Sequence, residues 1–153
     1  MKGINGDACH DRLVAETKGI LSYDSSRDFC RWKEQVAQKL AKLLGMDVIA
    51  ENACPIRIEI EEITEKEDYR RIRFCYESEK ENSVPAILLI PKQNKEKYPL
   101  AIVLQGHTTG YHISIGEKKY EIDDSFLPHN GYGLQAVKNG FAALCIEQRG
   151  MGI

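Results

Sequence analysis

Gln105-Gly106-His107-Thr108-Thr109-Gly110 is the stretch of this chain best equipped for chemistry. It follows an apolar run, Leu100 to Leu104, that reads as a buried parallel strand. A glycine-bearing loop at the carboxyl end of such a strand is where α/β proteins aim backbone N–H groups at an anion. Gly106 lets the chain turn sharply, so the amides after it can point into a cleft. Acyl transfer needs such donors, because charge develops on the carbonyl oxygen and fixed amides stabilise it without reorganising. An ordinary tight βα turn would carry the same glycine, and the local string leaves both readings open.

A second constellation, Glu147-Gln148-Arg149-Gly150-Met151-Gly152, closes the apolar run Phe141–Ile146. A carboxylate and a guanidinium at a strand's carboxyl edge suit a substrate contact or an internal ion pair that holds a loop, and the structural role is favoured. Cys145, inside the run, reads as a core residue and not a nucleophile. No G-x-S-x-G occurs; Ser114, in His112-Ile-Ser-Ile-Gly116, reads as loop or short extended structure and not as a strand-to-helix elbow. His107, His112 and His129 match no ligand spacing and read as polar loop residues. Gly131-Tyr-Gly133-Leu-Gln-Ala136 imitates a dinucleotide fingerprint, but polar loop and not strand precedes it, so it reads as a helix start with Asn130 as N-cap. No metal and no cofactor is expected.

The elements that must position these residues differ along the chain. Residues 1–24 show little periodicity and read as irregular or partly helical. A capping box of Ser25 and Asp28 opens a helix predicted over 26–44, with Phe29, Trp32, Val36, Leu40, Leu43 and Leu44 on one stripe. Lys39 and Lys42 suit its last turn and Gly45 its stop. Ile56, Ile58 and Ile60 then alternate with charged residues, as do Ile72, Phe74 and Tyr76, with a polar hairpin connection at residues 64–68 between them. Val84–Ile90 makes a third strand of this antiparallel, half-exposed set, with Pro85 near its start. After the charged turn Pro91–Pro99 the alternation gives way to the solid runs Leu100–Leu104 and Phe141–Ile146, with a helix over Gly131–Asn139 between them. That is a βαβ unit with a parallel strand pair.

Composition bounds the rest. The chain has 153 residues, 42% hydrophobic and 29% charged, which is globular and long enough for a real core. A net charge of −2 with interleaved signs offers nothing to nucleic acid or to an anionic membrane. Five cysteines without a C-x-x-C unit, and an N-terminus without an apolar leader segment, point to reduced thiols in a cytoplasmic protein.

Taken together, VPAILLIPK from Val84, YPLAIVLQGHTTGYHISIGE from Tyr98 and GFAALCIEQRGMG from Gly140 resemble the first half of bacterial α/β-hydrolases of the acetyl xylan esterase and dienelactone hydrolase-like group. The resemblance runs from about Arg57 to Ile153. It implies an incomplete α/β-hydrolase fold, with antiparallel N-terminal strands leading into a parallel sheet and a helix ahead of them. Residues 1–55 would then be an N-terminal helical extension and 56–153 the first half of the hydrolase domain, stopping before the nucleophile elbow.

The implied chemistry is that of a serine-type carboxylic ester hydrolase acting on a small-molecule ester. By position, the His107 backbone N–H would be an oxyanion-hole donor and Gly106 would shape its loop. Gln105 stands where relatives often carry histidine. With Thr108, Glu147, Arg149 and Gly150 it would shape the substrate cleft. Nucleophile, base and acid would lie beyond Ile153, so the chain alone is expected to be inactive. Its strand Leu100–Leu104 would be an uncovered edge, a site for the missing C-terminal half or for self-association. The alternative is a non-catalytic hydrolase-like domain that binds a partner chain through that edge.

Overall fold

The computed structural model describes residues 7–93, 95–106 and 108–150. The chain divides into two compact units, Met1–Glu51 and Asn52–Ile153.

The first unit holds α1 (Asp7–Glu16), α2 (Phe29–Leu43) and α3 (Met46–Glu51). Asp28, not Ser25, is the N-cap of α2: its backbone is extended and its carboxylate accepts a 2.8 Å hydrogen bond from the Arg31 amide. A carboxylate suits that position because the first turn of a helix presents unpaired N–H groups and a positive dipole end. The rings of Tyr23, Phe29 and Trp32 pack at the start of the helix, with Tyr23 and Trp32 centroids 4.9 Å apart. The Trp32 indole N–H donates to the Leu21 carbonyl at 2.7 Å. Gly45 follows the end of α2 with φ +65°, a conformation glycine adopts without steric cost.

The second unit is a five-stranded sheet ordered β1-β2-β3-β5-β4. Its strands are β1 (Ile58–Glu65), β2 (Tyr69–Glu79), β3 (Asn82–Pro91), β4 (Leu100–Leu104) and β5 (Ala142–Ile146). Antiparallel pairing runs from β1 through β2 and β3 to β5, and β4 lies parallel to β5 at the edge. Between β4 and β5 come 3-10 turns Tyr111–Ile115 and Glu121–Ser125, then α4 (Leu127–Asn130) and α5 (Tyr132–Lys138). Asn130 falls inside α4, and the N-cap position of α5 is held by Gly131 without a side-chain cap.

Register explains the two sequence textures. One cross-strand row reads Arg73, Ile87, Cys145, Val103 and the next Arg71, Leu89, Ala143, Ala101. This face is covered by Tyr111 and Ile115 of the first 3-10 turn and Val137 of α5, and it holds the core. The opposite face reads Ile63, Ile72, Leu88, Leu144, Ile102, then Ile60, Phe74, Ala86, Ile146, Leu104. β1 and β2 alternate because their covered-side positions carry Arg and Glu; β3, β4 and β5 are solidly apolar because both their faces are.

The expectation that Leu100–Leu104 is buried needs correction. Val103 is buried, yet Leu100, Ile102 and Leu104 are exposed, Ile102 at 62%. The run is apolar on both sides, but among the described residues only one side is covered.

Candidate functional site

Parallel pairing of β4 with β5 brings two loops to one edge of the sheet. Leu104 and Ile146 are register partners, so the next residues, Gln105 and Glu147, emerge side by side. The Gln105 side-chain amide donates to Glu147 Oε1 at 2.6 Å. The other oxygen, Oε2, accepts the Tyr111 backbone N–H at 3.1 Å. Gln148 Nε2 donates to the Gln105 carbonyl at 2.5 Å, and the Glu147 backbone N–H donates to the Pro85 carbonyl at 3.1 Å. The loop 105–111 is thus tied at both ends to the residue that closes β5.

A second carboxylate holds the far side of the same loop. Asp123 is fully buried in the second 3-10 turn. Its Oδ2 accepts the backbone N–H groups of Lys119 and Tyr120, each at 2.8 Å, and lies 3.0 Å from His112 Nε2. Its Oδ1 accepts the Thr109 hydroxyl. Burial alone would raise this carboxyl's pKa, but the hydrogen bonds from Thr109, Tyr120, Lys119 and His112 outweigh it and hold the group well below the usual carboxylate range.

Beside these ties lies a cleft of about 440 Å³ whose walls include Glu61, Arg73, Tyr111, Lys119, Glu147 and Arg149. Arg73 Nε donates to Glu61 at 2.5 Å, and the Lys119 ammonium stands 5.6 Å from the centre of the Tyr111 ring. Burial pushes the Tyr111 hydroxyl up in pKa, with Arg73 opposing.

The structure brings some of the sequence-predicted residues together and leaves others apart. Gln105 is buried against Glu147, with its Oε1 unpartnered among the described residues. Gly106 is exposed, and a Cβ there would meet nothing within 4 Å. His107, Met151 and Gly152 lie outside the described residues. Thr108 is half-buried and its hydroxyl has no partner among the described residues. Glu147, Arg149 and Gly150 all line the cleft. Arg149 pairs with Glu79 of β2 and not with Glu147, and Gly150 turns the chain with φ +73°.

Three readings change. His112, read as a polar loop histidine, lies buried in a 3-10 turn as a partner of Asp123. Ser114 is buried in a 3-10 turn instead of a loop or extended segment. Asp123, read as part of a polar loop, is the acceptor around which that loop folds. Its signal in the sequence is the spacing from Tyr120, which puts it at the third position of a helical turn, where its carboxylate reaches back to the amides of Lys119 and Tyr120 just ahead of the turn.

The Abhydrolase family profile matches residues 12–153. No curated protein matches the chain. Among solved structures, a Bacteroides fragilis protein assigned as an acetyl xylan esterase superposes on 95% of this chain with a TM-score of 0.71 at 13% identity, over 38% of its own length. Acetyl Xylan Esterase 1 from a Thermoanaerobacterium species superposes on 70% of this chain with a TM-score of 0.50 at 15% identity, over 29% of its own length. The chain therefore spans well under half the length of either protein, and at these identities the likeness is one of fold. The mixed sheet with its parallel edge pair is part of an α/β-hydrolase fold, and the chain belongs to the Abhydrolase family.

Proposed function

We propose that residues 56–153 are the first part of a serine-type carboxylic ester hydrolase of the acetyl esterase kind, preceded by a helical extension over 1–55. The observation that carries this reading is the loop 105–111, hung from the carboxyl end of β4 and tied to the end of β5, in a chain of the Abhydrolase family. In this reading the His107 backbone N–H donates to the developing oxyanion, with Gly106 leaving room for the ester to approach. Glu147, Arg149 and Gly150 are walls of the cleft, and Gln105 and Thr108 shape it from the adjoining loop without lining it. The attacking serine, its histidine base and the orienting carboxylate come from polypeptide outside residues 1–153, which contain no G-x-S-x-G.

A fluorophosphonate probe and p-nitrophenyl acetate test this. The 153-residue chain should neither take up the probe nor hydrolyse the ester, and extending the reading frame through the first downstream G-x-S-x-G should restore both. Probe uptake on a serine within this chain, or an extended protein without hydrolysis, would overturn it.

A second reading is favoured by one observation, the exposed apolar strand β4 at the sheet edge. In it the chain is a non-catalytic module that pairs with a partner chain through β4. A stable complex without ester hydrolysis would select it.

A further inference from the structure

Among the described residues the loop 105–111 leaves an edge strand, with β5 on one side of β4 and no strand on the other. Within the loop, the Thr108 N–H donates to the Gly106 carbonyl at 2.8 Å, a contact too local to fix the loop against the sheet. The carboxylate of Glu147 fixes its two ends, taking a donor from each, while Gln148 adds a bond to the Gln105 carbonyl and Asp123 takes the Thr109 hydroxyl. The clamp is rooted in the sheet interior, since the Glu147 amide bonds to Pro85 on β3. Both partners are enclosed, with Gln105 and Tyr111 buried. The acceptor is a half-buried carboxylate, and hydrogen bonds to an ionised acceptor are the stronger kind.

Gly110 shows how little slack the arrangement has. Its φ of +145° is a backbone conformation that L side chains rarely adopt. A Cβ there would stand 3.0 Å from Glu147 Oε2 and 2.9 Å from His112 Nδ1. The residue between the two tied ends must therefore be glycine if Glu147 is to reach the Tyr111 amide.

We infer that Glu147 is a positioning residue: it ties Gln105, at the end of β4, to Tyr111, at the start of the first 3-10 turn, and so fixes both ends of the loop between them before any substrate arrives. The purpose of that rigidity rests on the ester-hydrolase reading; the clamp itself does not. A carboxylate is suited to this task because it accepts at two oxygens and donates at neither, so both loop ends can present N–H groups to it.

The experiment is amide hydrogen exchange on the full chain, read on the peptide covering 105–112. Gln105→Glu sets a second carboxylate against Glu147. Combining Gln105→Glu with Glu147→Gln reverses the polarity of the 105–147 contact and leaves an oxygen at 147 for the Tyr111 amide. The single variant should raise exchange in 105–112 by about tenfold or more, while β3 and β5 peptides keep their protection. The double variant should return exchange close to the starting rate. If the single variant does not fold, recovery of a folded chain by the double variant supports the clamp, and no recovery counts against it. Unchanged exchange in the single variant, or exchange that the double variant leaves raised, would overturn the inference. Exchange is read without substrate, so a chain whose extended form hydrolyses no ester would sink the enzyme reading and leave the clamp standing.

Discussion

His112 Nε2 lies 3.0 Å from Asp123 Oδ2, with the two side chains 3% and 0% exposed. The pair sits eleven residues apart in sequence and closes the excursion that separates β4 from the α4–α5 region. Because Asp123 also accepts from Thr109, Lys119 and Tyr120, one carboxylate organises most of the polar backbone between the loop and the second 3-10 turn.

Removing that carboxylate should therefore unfold the excursion. Asp123→Ala leaves the Lys119 and Tyr120 amides and the buried His112 without their acceptor and should lower Tm more than Thr109→Ala does. Asp123→Asn keeps an oxygen for the amides and should fall between the two. The native carboxyl has a lower pKa than it would in the unfolded chain. Its contribution is therefore complete above about pH 4 and is lost as the pH falls further toward the folded-state value. Thermal melts of the parent and of Asp123→Asn across acidic pH should converge as that contribution disappears.

Gly133 in α5 is enclosed on both sides. A Cβ there would stand 2.8 Å from Cys145 Sγ and 2.9 Å from the Ser114 carbonyl oxygen, a backbone atom that cannot turn aside. Gly133→Ala should cost about 1–3 kcal/mol by urea unfolding. Gly131→Ala, with nothing within 4 Å of the new carbon, is the control and should be close to neutral.

Gly106 separates stability from activity. A Cβ at this position meets nothing within 4 Å, so Gly106→Ala should shift stability by less than about 0.5 kcal/mol. Under the proposed ester-hydrolase function, the same change in the extended protein should lower kcat for p-nitrophenyl acetate by about tenfold or more, because the methyl group would intrude where the ester must reach the loop amides. Unchanged kcat would remove Gly106 from the site.

Cys145 should be chemically silent. It is buried between Ile87 and Val103 in the sheet, and burial pushes its thiol up to about 12. In the native chain a thiol reagent should modify the exposed Cys9 and Cys30 first and reach Cys145 only on unfolding. Mass-spectrometric mapping of labelled cysteines checks the order.

The uncovered sheet face should make the 153-residue chain self-associate. Ile102 and Leu104 are 62% and 58% exposed on the edge strand, beside the half-buried Leu144 and Ile146. An exposed apolar edge strand is a pairing template. Light scattering should show assemblies larger than 17.3 kDa, reduced by Ile102→Lys. A monodisperse monomer of the unaltered chain would contradict this.

Much of the fold was legible in the sequence because it follows from local periodicity. Leu100–Leu104 was read to its observed ends, and the parallel pairing of β4 with β5 followed from the helical stretch between two apolar runs. The Ile/Arg/Glu alternation of residues 58–76 announced strands with one charged and one apolar face. The short α3 was not legible, and α1 only as partial helicity within residues 1–24: neither has an uninterrupted apolar stripe, and both are shorter than helices that hold without tertiary support.

Residue type and spacing by themselves determined the strand textures, the absence of a serine elbow, and the placing of Gln105 and Glu147 at the carboxyl ends of two apolar runs. Only the tertiary structure decided what those residues touch. Side-chain partners 42 residues apart depend on strand register, and register is a property of the assembled sheet. The same holds for His112 and Asp123. Their types are polar and their neighbourhood reads as loop, yet folding buries both, because together with the nearby amides they satisfy one another's hydrogen bonds away from water.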